Sequence, residues 1–173
     1  FHMFNLFKRK EPDIADALTN QTIGGQSVLY RLFLEEVGCE DSTVRRLELT
    51  YFAATIMTFV YLRFGKQSNR EEILDSFTRN ILAKSIPSSR EDVSFNQVVN
   101  EYQGRFAEYN TMLPLLFSPN ESSSGNPAAT LLMHAFECVT QSSARSHMVH
   151  IVAASGLIQE FVLDHIDFVK QKL

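Results

Sequence analysis

The chain has 173 residues with a formal net charge of −4, and 45% of its residues are hydrophobic. A mildly acidic chain lacks the basic stripe that phosphate binding needs, so we expect no nucleic acid as its main partner. The hydrophobic content is that of a globular protein and excludes wholesale disorder. With seven glycines and five prolines, the composition favours long helices over many short strands.

The first eleven residues have the features of a tail. Phe1-His2 before Met3 is typical of a cloning remnant, and we take Met3 as the native start. Residues 3–11 then form a basic tail with two phenylalanines, which predicts at most weak contact with an anionic membrane surface. Residues 12–173 are predicted to form one helical domain.

Two amphipathic segments follow this tail. Pro12 suits the first turn of a helix, and the pair Gly24-Gly25 predicts a flexible break after that helix. Residues 26–37 predict a second helix, for which Gly38 is well placed as the C-terminal cap.

Residues 42–64 form the most apolar segment of the chain. Large apolar side chains cover every side of a 3.6-residue helix, and Glu48 is its only acid. Such a helix is either buried in a larger protein or spans a membrane. Spanning needs roughly 20 apolar residues, and this run is shorter and contains threonines. We therefore predict a buried central helix, capped by Asp41 or Ser42, and no transmembrane segment.

Two of the four remaining predicted helices lie between this segment and residue 114. Ser68 and Glu71 fit a capping box at the start of the first, and the helix is predicted to stop before Pro87. The next helix starts from a cap at Ser88 or Ser89 and reaches Pro114, which ends or kinks it.

The last part of the chain contains a polar loop and two more helices. Residues 118–126 are predicted to be a mobile loop, and Pro127 suits the first position of a helix that reaches about Thr140. The polar stretch 141–146 either ends this helix or continues it into a last helix over about 147–170. The whole pattern predicts an all-α fold, a single-domain bundle of about seven helices around the central helix. Two helical subdomains that meet at the polar loop are the alternative.

Four potential metal ligands lie near one another in the sequence. His134 and Cys138 are one helical turn apart, and His147 and His150 are three residues apart on the next predicted helix. If residues 141–146 make a tight turn, the two pairs face each other across a hairpin. Mixed thiolate and imidazole sets bind zinc, so zinc is the one cofactor that the sequence suggests. The spacing matches no established motif, and ordinary core and boundary roles explain the same residues.

Tyr102, Arg105 and Tyr109 are a second candidate site. They either line a cleft that recognises an anion or an aromatic ligand, or form the half-buried boundary of a helix. Arg105 is also within helical reach of Glu101 and Glu108.

The sequence contains no catalytic or nucleotide-binding motif, which favours a binding role over an enzymatic one. We expect a non-enzymatic module (an adaptor, an inhibitor or an immunity-type factor) that binds another protein or forms a homodimer. Two distant cysteines and the lack of a signal peptide favour the cytoplasm. The alternative is a small-ligand-binding bundle, or a metal-dependent enzyme that uses the histidine and cysteine cluster. An exposed apolar patch favours the first hypothesis, and a pocket of roughly 300–1,000 Å³ with converging polar groups favours the second.

Overall fold

The computed structural model describes residues 13–86, 94–117 and 127–173, and this part of the chain is all-α, as predicted. The predicted cloning remnant, the basic tail and the loop at 118–126 lie outside the described residues. The six α-helices of the described part are α1 (Ile14–Tyr30), α2 (Thr43–Phe64), α3 (Arg70–Ser85), α4 (Phe95–Met112), α5 (Pro127–Thr140) and α6 (Met148–Lys172).

α1 runs without interruption through Gly24 and Gly25, so the predicted break is wrong. Asp13 caps the helix by accepting a hydrogen bond from the backbone nitrogen of Ala15 at 3.0 Å. Gly25 serves packing instead, because a Cβ atom there would lie 2.6 Å from Cε2 of Phe161. Glycine therefore allows α1 to lie directly against the side chains of α6.

A π-helical turn, Arg31–Glu35, continues α1. The second predicted helix is therefore the end of the first. The predicted cap at Gly38 is confirmed, since its φ of +70° lies in the left-handed region that favours glycine. The backbone nitrogen of Cys39 donates to the carbonyl oxygen of Leu34 at 2.9 Å and ends the turn.

α2 is the central helix, as predicted. Thirteen of its 22 residues are buried, and it contacts α1, α3, α4, α5 and α6. The predicted cap at Ser42 is confirmed, because its hydroxyl accepts a hydrogen bond from the backbone nitrogen of Arg45 at 3.3 Å. Both ends of the helix emerge from the core, with Val44 exposed in the first turn and Leu62 in the last.

α3 does not begin with the predicted capping box of Ser68 and Glu71. Ser68 lies in a turn, and Asn69 is the residue before the helix, without a side-chain capping bond. Pro87 lies just beyond the described residues, after the end of α3 at Ser85.

α4 begins later than predicted. The proposed caps Ser88 and Ser89 lie outside the described residues, and Ser94 caps the helix by accepting a hydrogen bond from the backbone nitrogen of Gln97 at 3.2 Å. Pro114 lies in a 3₁₀ turn, Leu113–Leu116, directly after α4, which confirms that the α-helix ends there.

α5 begins at Pro127, as predicted, and a turn separates it from α6. Gln141 has a φ of 56°, and a 3₁₀ turn, Ala144–His147, leads into α6. The stretch 141–146 is therefore a turn rather than continuous helix. One face of α6 is buried, through residues that include Ile151, Ile158 and Phe161. Its main contacts are with α5 and α2.

Candidate functional site

The predicted set of Tyr102, Arg105 and Tyr109 does not face one common cleft. The ring of Tyr102 lies 6.1 Å from that of Tyr51, and the ring of Tyr109 lies 5.1 Å from that of Phe52, both on α2. Both side chains are buried, Tyr109 completely. Burial raises the pKa of both phenol groups, so both are neutral at physiological pH.

Tyr102 lines a groove on the surface of the bundle. This groove, between α2, α3 and α4, has a volume of about 710 Å³. Apolar side chains from α3 and α4 line much of it, among them Leu74 and Phe106. Its one cationic side chain, Arg79, already pairs with Asp75 at 3.1 Å. The groove therefore offers shape and apolar surface but little charge with which to orient a ligand.

Arg105 makes an ion pair that the helical spacing did not predict. Its Nε and Nη2 atoms donate to the two carboxylate oxygens of Glu48 on α2, at 2.8 and 2.9 Å. Nη1 donates to Glu108 at 3.0 Å, as predicted. Glu101, the other predicted partner, instead accepts from the hydroxyl of Tyr51 at 3.0 Å. The hydrogen bonds to Glu48 raise the pKa of Arg105.

The four predicted metal ligands do not come together. Nε2 of His150 donates to the carbonyl oxygen of Leu32 at 2.9 Å, and the ring of His147 packs 4.9 Å from that of Phe136. His134 and Cys138 do lie side by side on α5, with 3.9 Å between Nε2 and Sγ. The turn after α5 directs His147 and His150 toward other neighbours, so the four predicted ligands do not form one site.

Glu108 on α4 completes a three-residue cluster with His134 and Cys138. Nε2 of His134 donates to Oε2 of Glu108 at 3.0 Å. The carboxylate, imidazole and thiol atoms all lie within 4.8 Å of one another. Partial burial acts to raise the pKa of Glu108, but hydrogen bonds from His134 and Arg105 bring this pKa below its ordinary value. Burial raises the pKa of the Cys138 thiol, which disfavours a free thiolate nucleophile.

A second groove lies between α1, the π-helical turn, α2 and α3. Its volume is about 750 Å³, which is within the range of small-ligand pockets. Arg31, Arg46 and Lys84 line it beside apolar residues such as Leu49. Both guanidinium groups already have acidic partners, since Arg31 pairs with Glu36 and Arg46 with Asp41. The groove therefore has the size of a ligand pocket, while much of its positive charge is compensated.

The outward side of α6 is apolar, although the opposite side already packs in the core. We define the outer face of α6 by five exposed residues: Val149, Val152, Ala153, Gly156 and Leu163. The side chain of Val149 is 87% exposed, and Val152 and Leu163 are exposed by 52% and 55%. Within the described residues, no other large apolar side chain is as exposed as these three.

The region that contains α6 also has the length and hydropathy of a candidate membrane-spanning helix. Residues Ala144–Lys172 form, among the described helices, the one candidate by length and composition, with a mean hydropathy of 1.2 in its best window. Core helices of soluble proteins have the same properties, and one third of that window is buried against the bundle.

Comparison with known proteins gives no match: no family model fits the chain, and no curated protein or solved structure is significantly similar to it. Candidate functions therefore rest on the geometry of the chain itself.

The sequence analysis did not identify two features: the ion pair of Arg105 with Glu48, and the exposed apolar face of α6. Glu48 was visible as the only acid of an apolar helix, and a lone acid in such a helix signals a buried partner. The outer face of α6 was visible as apolar residues between those of the inner face, a pattern broader than a surface helix needs.

Proposed function

We propose that this protein is a non-enzymatic interaction module whose outer face of α6 binds a second copy of the same chain. The observation that supports this proposal is the arrangement of residues along that face. Apolar residues occupy its middle, a glycine lies at its centre, and opposite charges lie at its two ends. Exposed apolar surface of this kind marks interaction sites in soluble proteins.

The centre of the face suits an antiparallel pair of helices. Val149 lies seven residues before Gly156, and Leu163 lies seven residues after it. Residues seven apart lie on the same side of a helix. If two α6 helices cross at Gly156 about a two-fold axis, Val149 of each copy meets Leu163 of the partner subunit. Among the described residues, nothing outside the local helix backbone lies within 4 Å of a Cβ built on Gly156, so a second helix has room to approach.

The ends of the face are electrostatically complementary in the same arrangement. Arg145 lies eleven residues before Gly156 and Asp167 eleven residues after it, and both are exposed. Arg145 lies in the 3₁₀ turn just before α6, so the two-fold axis brings it to the same end of the helix pair as Asp167 of the partner subunit. A surface that is complementary to itself in this way is what an isologous dimer requires.

The expected dimer is weak and depends on concentration. Glu160 lies between Gly156 and Leu163 on the exposed side of α6 and interrupts the apolar stretch. Charged residues are depleted at the cores of stable interfaces. We therefore expect exchange between monomer and dimer rather than a permanent complex.

Sedimentation velocity over a range of protein concentrations tests the proposal. The wild-type chain should shift toward a dimer as concentration rises, and Val152→Glu should remain monomeric. Ile23→Glu is the matched control, because Ile23 is an exposed apolar residue on α1, away from the proposed interface. A monomeric wild type at every concentration, or a dimer that Val152→Glu leaves intact, would refute the proposal.

A charge exchange tests the antiparallel register. Arg145→Asp and Asp167→Arg should each weaken the dimer, and the double variant should restore it, since the two charges are exchanged together. Failure of the double variant to recover rules out this register. Co-flotation of the monomeric chain with lipid vesicles, if Val152→Glu abolishes it, would instead identify the outer face of α6 as a membrane contact.

A further inference from the structure

We infer that Glu108, His134 and Cys138 form a zinc-binding site that bridges α4 and α5. One carboxylate, one imidazole and one thiol converge there from two helices. This inference is independent of the dimer proposed above, because these residues lie on α4 and α5 rather than on the outer face of α6.

The distances within the cluster fit a tetrahedral ion. Zinc bonds of about 2.0 Å to nitrogen and oxygen and about 2.3 Å to sulfur place ligand atoms roughly 3.3–3.5 Å apart at tetrahedral angles. Nε2 of His134 lies 3.0 Å from Oε2 of Glu108 and 3.9 Å from Sγ of Cys138. These two distances are within about half an ångström of the tetrahedral values. The third, between the Glu108 carboxylate and Sγ of Cys138, is at most 4.8 Å, and rotation of the exposed Glu108 side chain can shorten it.

The choice of metal follows from the types of ligand. A set that combines thiolate, imidazole and carboxylate suits Zn²⁺, whereas Mg²⁺ and Ca²⁺ prefer oxygen ligands alone. His134 would bind through Nε2 in the tautomer that carries its hydrogen on Nδ1. Cys138 would bind as a thiolate and release one proton, so the affinity should rise with pH.

The surrounding charges balance a divalent cation. With Cys138 as a thiolate, the site and its neighbours carry three negative charges, from Glu48, Glu108 and Cys138. Arg105, paired with both acids, contributes one positive charge. The resulting net charge of −2 equals the charge that Zn²⁺ neutralises, so the arginine does not exclude the metal.

The buried hydroxyl of Tyr109 is the second observation that points to a ligand. This residue is fully buried, and its hydroxyl makes no hydrogen bond of ordinary geometry among the described residues, although the neighbouring Cys138 thiol interacts with it. Its ring lies 5.4 Å from that of His134, and its hydroxyl is close enough to Cys138 for the thiol to affect the tyrosine pKa. A buried polar group without a partner costs free energy. A metal-bound thiolate accepts hydrogen bonds better than a neutral thiol, so zinc binding would give the hydroxyl its partner.

The site has an entry path and an open fourth position. The side chains of Glu108 and His134 are 44% and 34% exposed, so an ion reaches them from solvent. Three protein ligands leave one coordination position for water, as in zinc sites that exchange ligands.

Zinc binding can be measured on protein purified without a histidine tag. After chelator treatment and dialysis against zinc, elemental analysis should give one zinc per chain. Replacement by Co²⁺ should give a thiolate-to-cobalt charge-transfer band, which identifies Cys138 as a ligand. Cys138→Ser should remove the band and lower the zinc affinity roughly 100-fold or more, and Tyr109→Phe should lower it about tenfold.

Cys39→Ser is the matched control, because Cys39 is the other free cysteine of the chain and lies outside the cluster. This variant should bind zinc as the wild type does. Glu108→Gln should also weaken zinc binding. Because the Glu108 side chain is exposed, this substitution should leave the fold intact, and weaker binding then reports on the site itself. A wild type that binds no stoichiometric zinc, or equal binding by wild type and Cys138→Ser, would overturn the inference.

Discussion

α2 and α6 are both more apolar than a helix with a single buried face needs to be, yet they lie in opposite environments. α2 contacts all five other α-helices of the described part, and Val60 on it is fully buried. α6 has its main contacts on one side, and Val149 on its other side is 87% exposed. The difference shows that apolar content alone does not determine burial, which also depends on how many neighbours surround the helix.

The buried polar groups of these two helices differ as well. Buried threonines of α2 have hydrogen-bond partners: Thr55 donates to the carbonyl oxygen of Tyr51 at 2.7 Å, and the hydroxyl of Thr58 lies 3.3 Å from that of Tyr102 on α4. On α6, Nδ1 of the buried His165 donates to the carbonyl oxygen of Phe161 at 2.9 Å. Its Nε2 has no partner among the described residues. These buried polar groups of α2 thus have partners, whereas α6 holds a buried imidazole whose charge state depends on pH.

Phe52→Ala on α2 should have the largest effect on stability. Phe52 is fully buried and makes edge-to-face contacts with Phe33, at 6.0 Å, and Tyr109, at 5.1 Å. Removing its ring should lower the free energy of unfolding by about 3–5 kcal/mol. Urea unfolding followed by circular dichroism measures this change.

The corresponding truncation on α6 is Val149→Ala. Because Val149 is exposed, it should change the unfolding free energy by no more than about 0.5 kcal/mol at protein concentrations where the chain is monomeric. Similar losses for the two variants would contradict the contrast between a surrounded helix and a half-covered one.

His165 should make the stability of the chain depend on pH. Burial lowers the pKa of His165 from 6.5 to about 4 in the folded protein. Above pH 6.5 the imidazole is neutral in both states and its contribution to stability is complete. As the pH falls from 6.5 to about 4, the unfolded chain takes up the proton first, and about 3 kcal/mol of stability is lost.

Unfolding free energies measured between pH 7 and 4 for the wild type and His165→Gln isolate this effect. The variant removes the titrating group, so its stability should fall less steeply over that interval, while the carboxylates contribute equally to both proteins. Parallel pH profiles would mean that His165 is not buried against α1 and that the core-facing side of α6 is exposed to solvent.

The sequence predicted the fold through the features that act locally. The apolar run of α2, the cap at Ser42 and the left-handed glycine at Gly38 each depend on residues close in the chain, and all three are confirmed. The pairing of Arg105 with Glu48 joins residues 57 positions apart, so helical spacing could not predict it. The division of the four predicted zinc ligands likewise depends on the direction of one turn, which local patterns leave open.

The pair Gly24-Gly25 gives the most discriminating test, because its two variants are expected to differ in sign. A glycine pair indicates a break when it is judged by backbone freedom alone, yet α1 continues through it because Gly25 faces α6. Gly25→Ala should therefore destabilise the chain by about 1–3 kcal/mol, since its Cβ would lie 2.6 Å from Phe161 and 3.2 Å from His165. The Cβ of Gly24→Ala would have open space in the described part of the chain, so this variant should stabilise the same helix by about 0.5–1 kcal/mol. Thermal unfolding of the two variants distinguishes the interpretations by sign. Destabilisation by Gly25→Ala together with stabilisation by Gly24→Ala requires a continuous α1 in contact with α6. Destabilisation by both variants would instead support the flexible break that the sequence indicated.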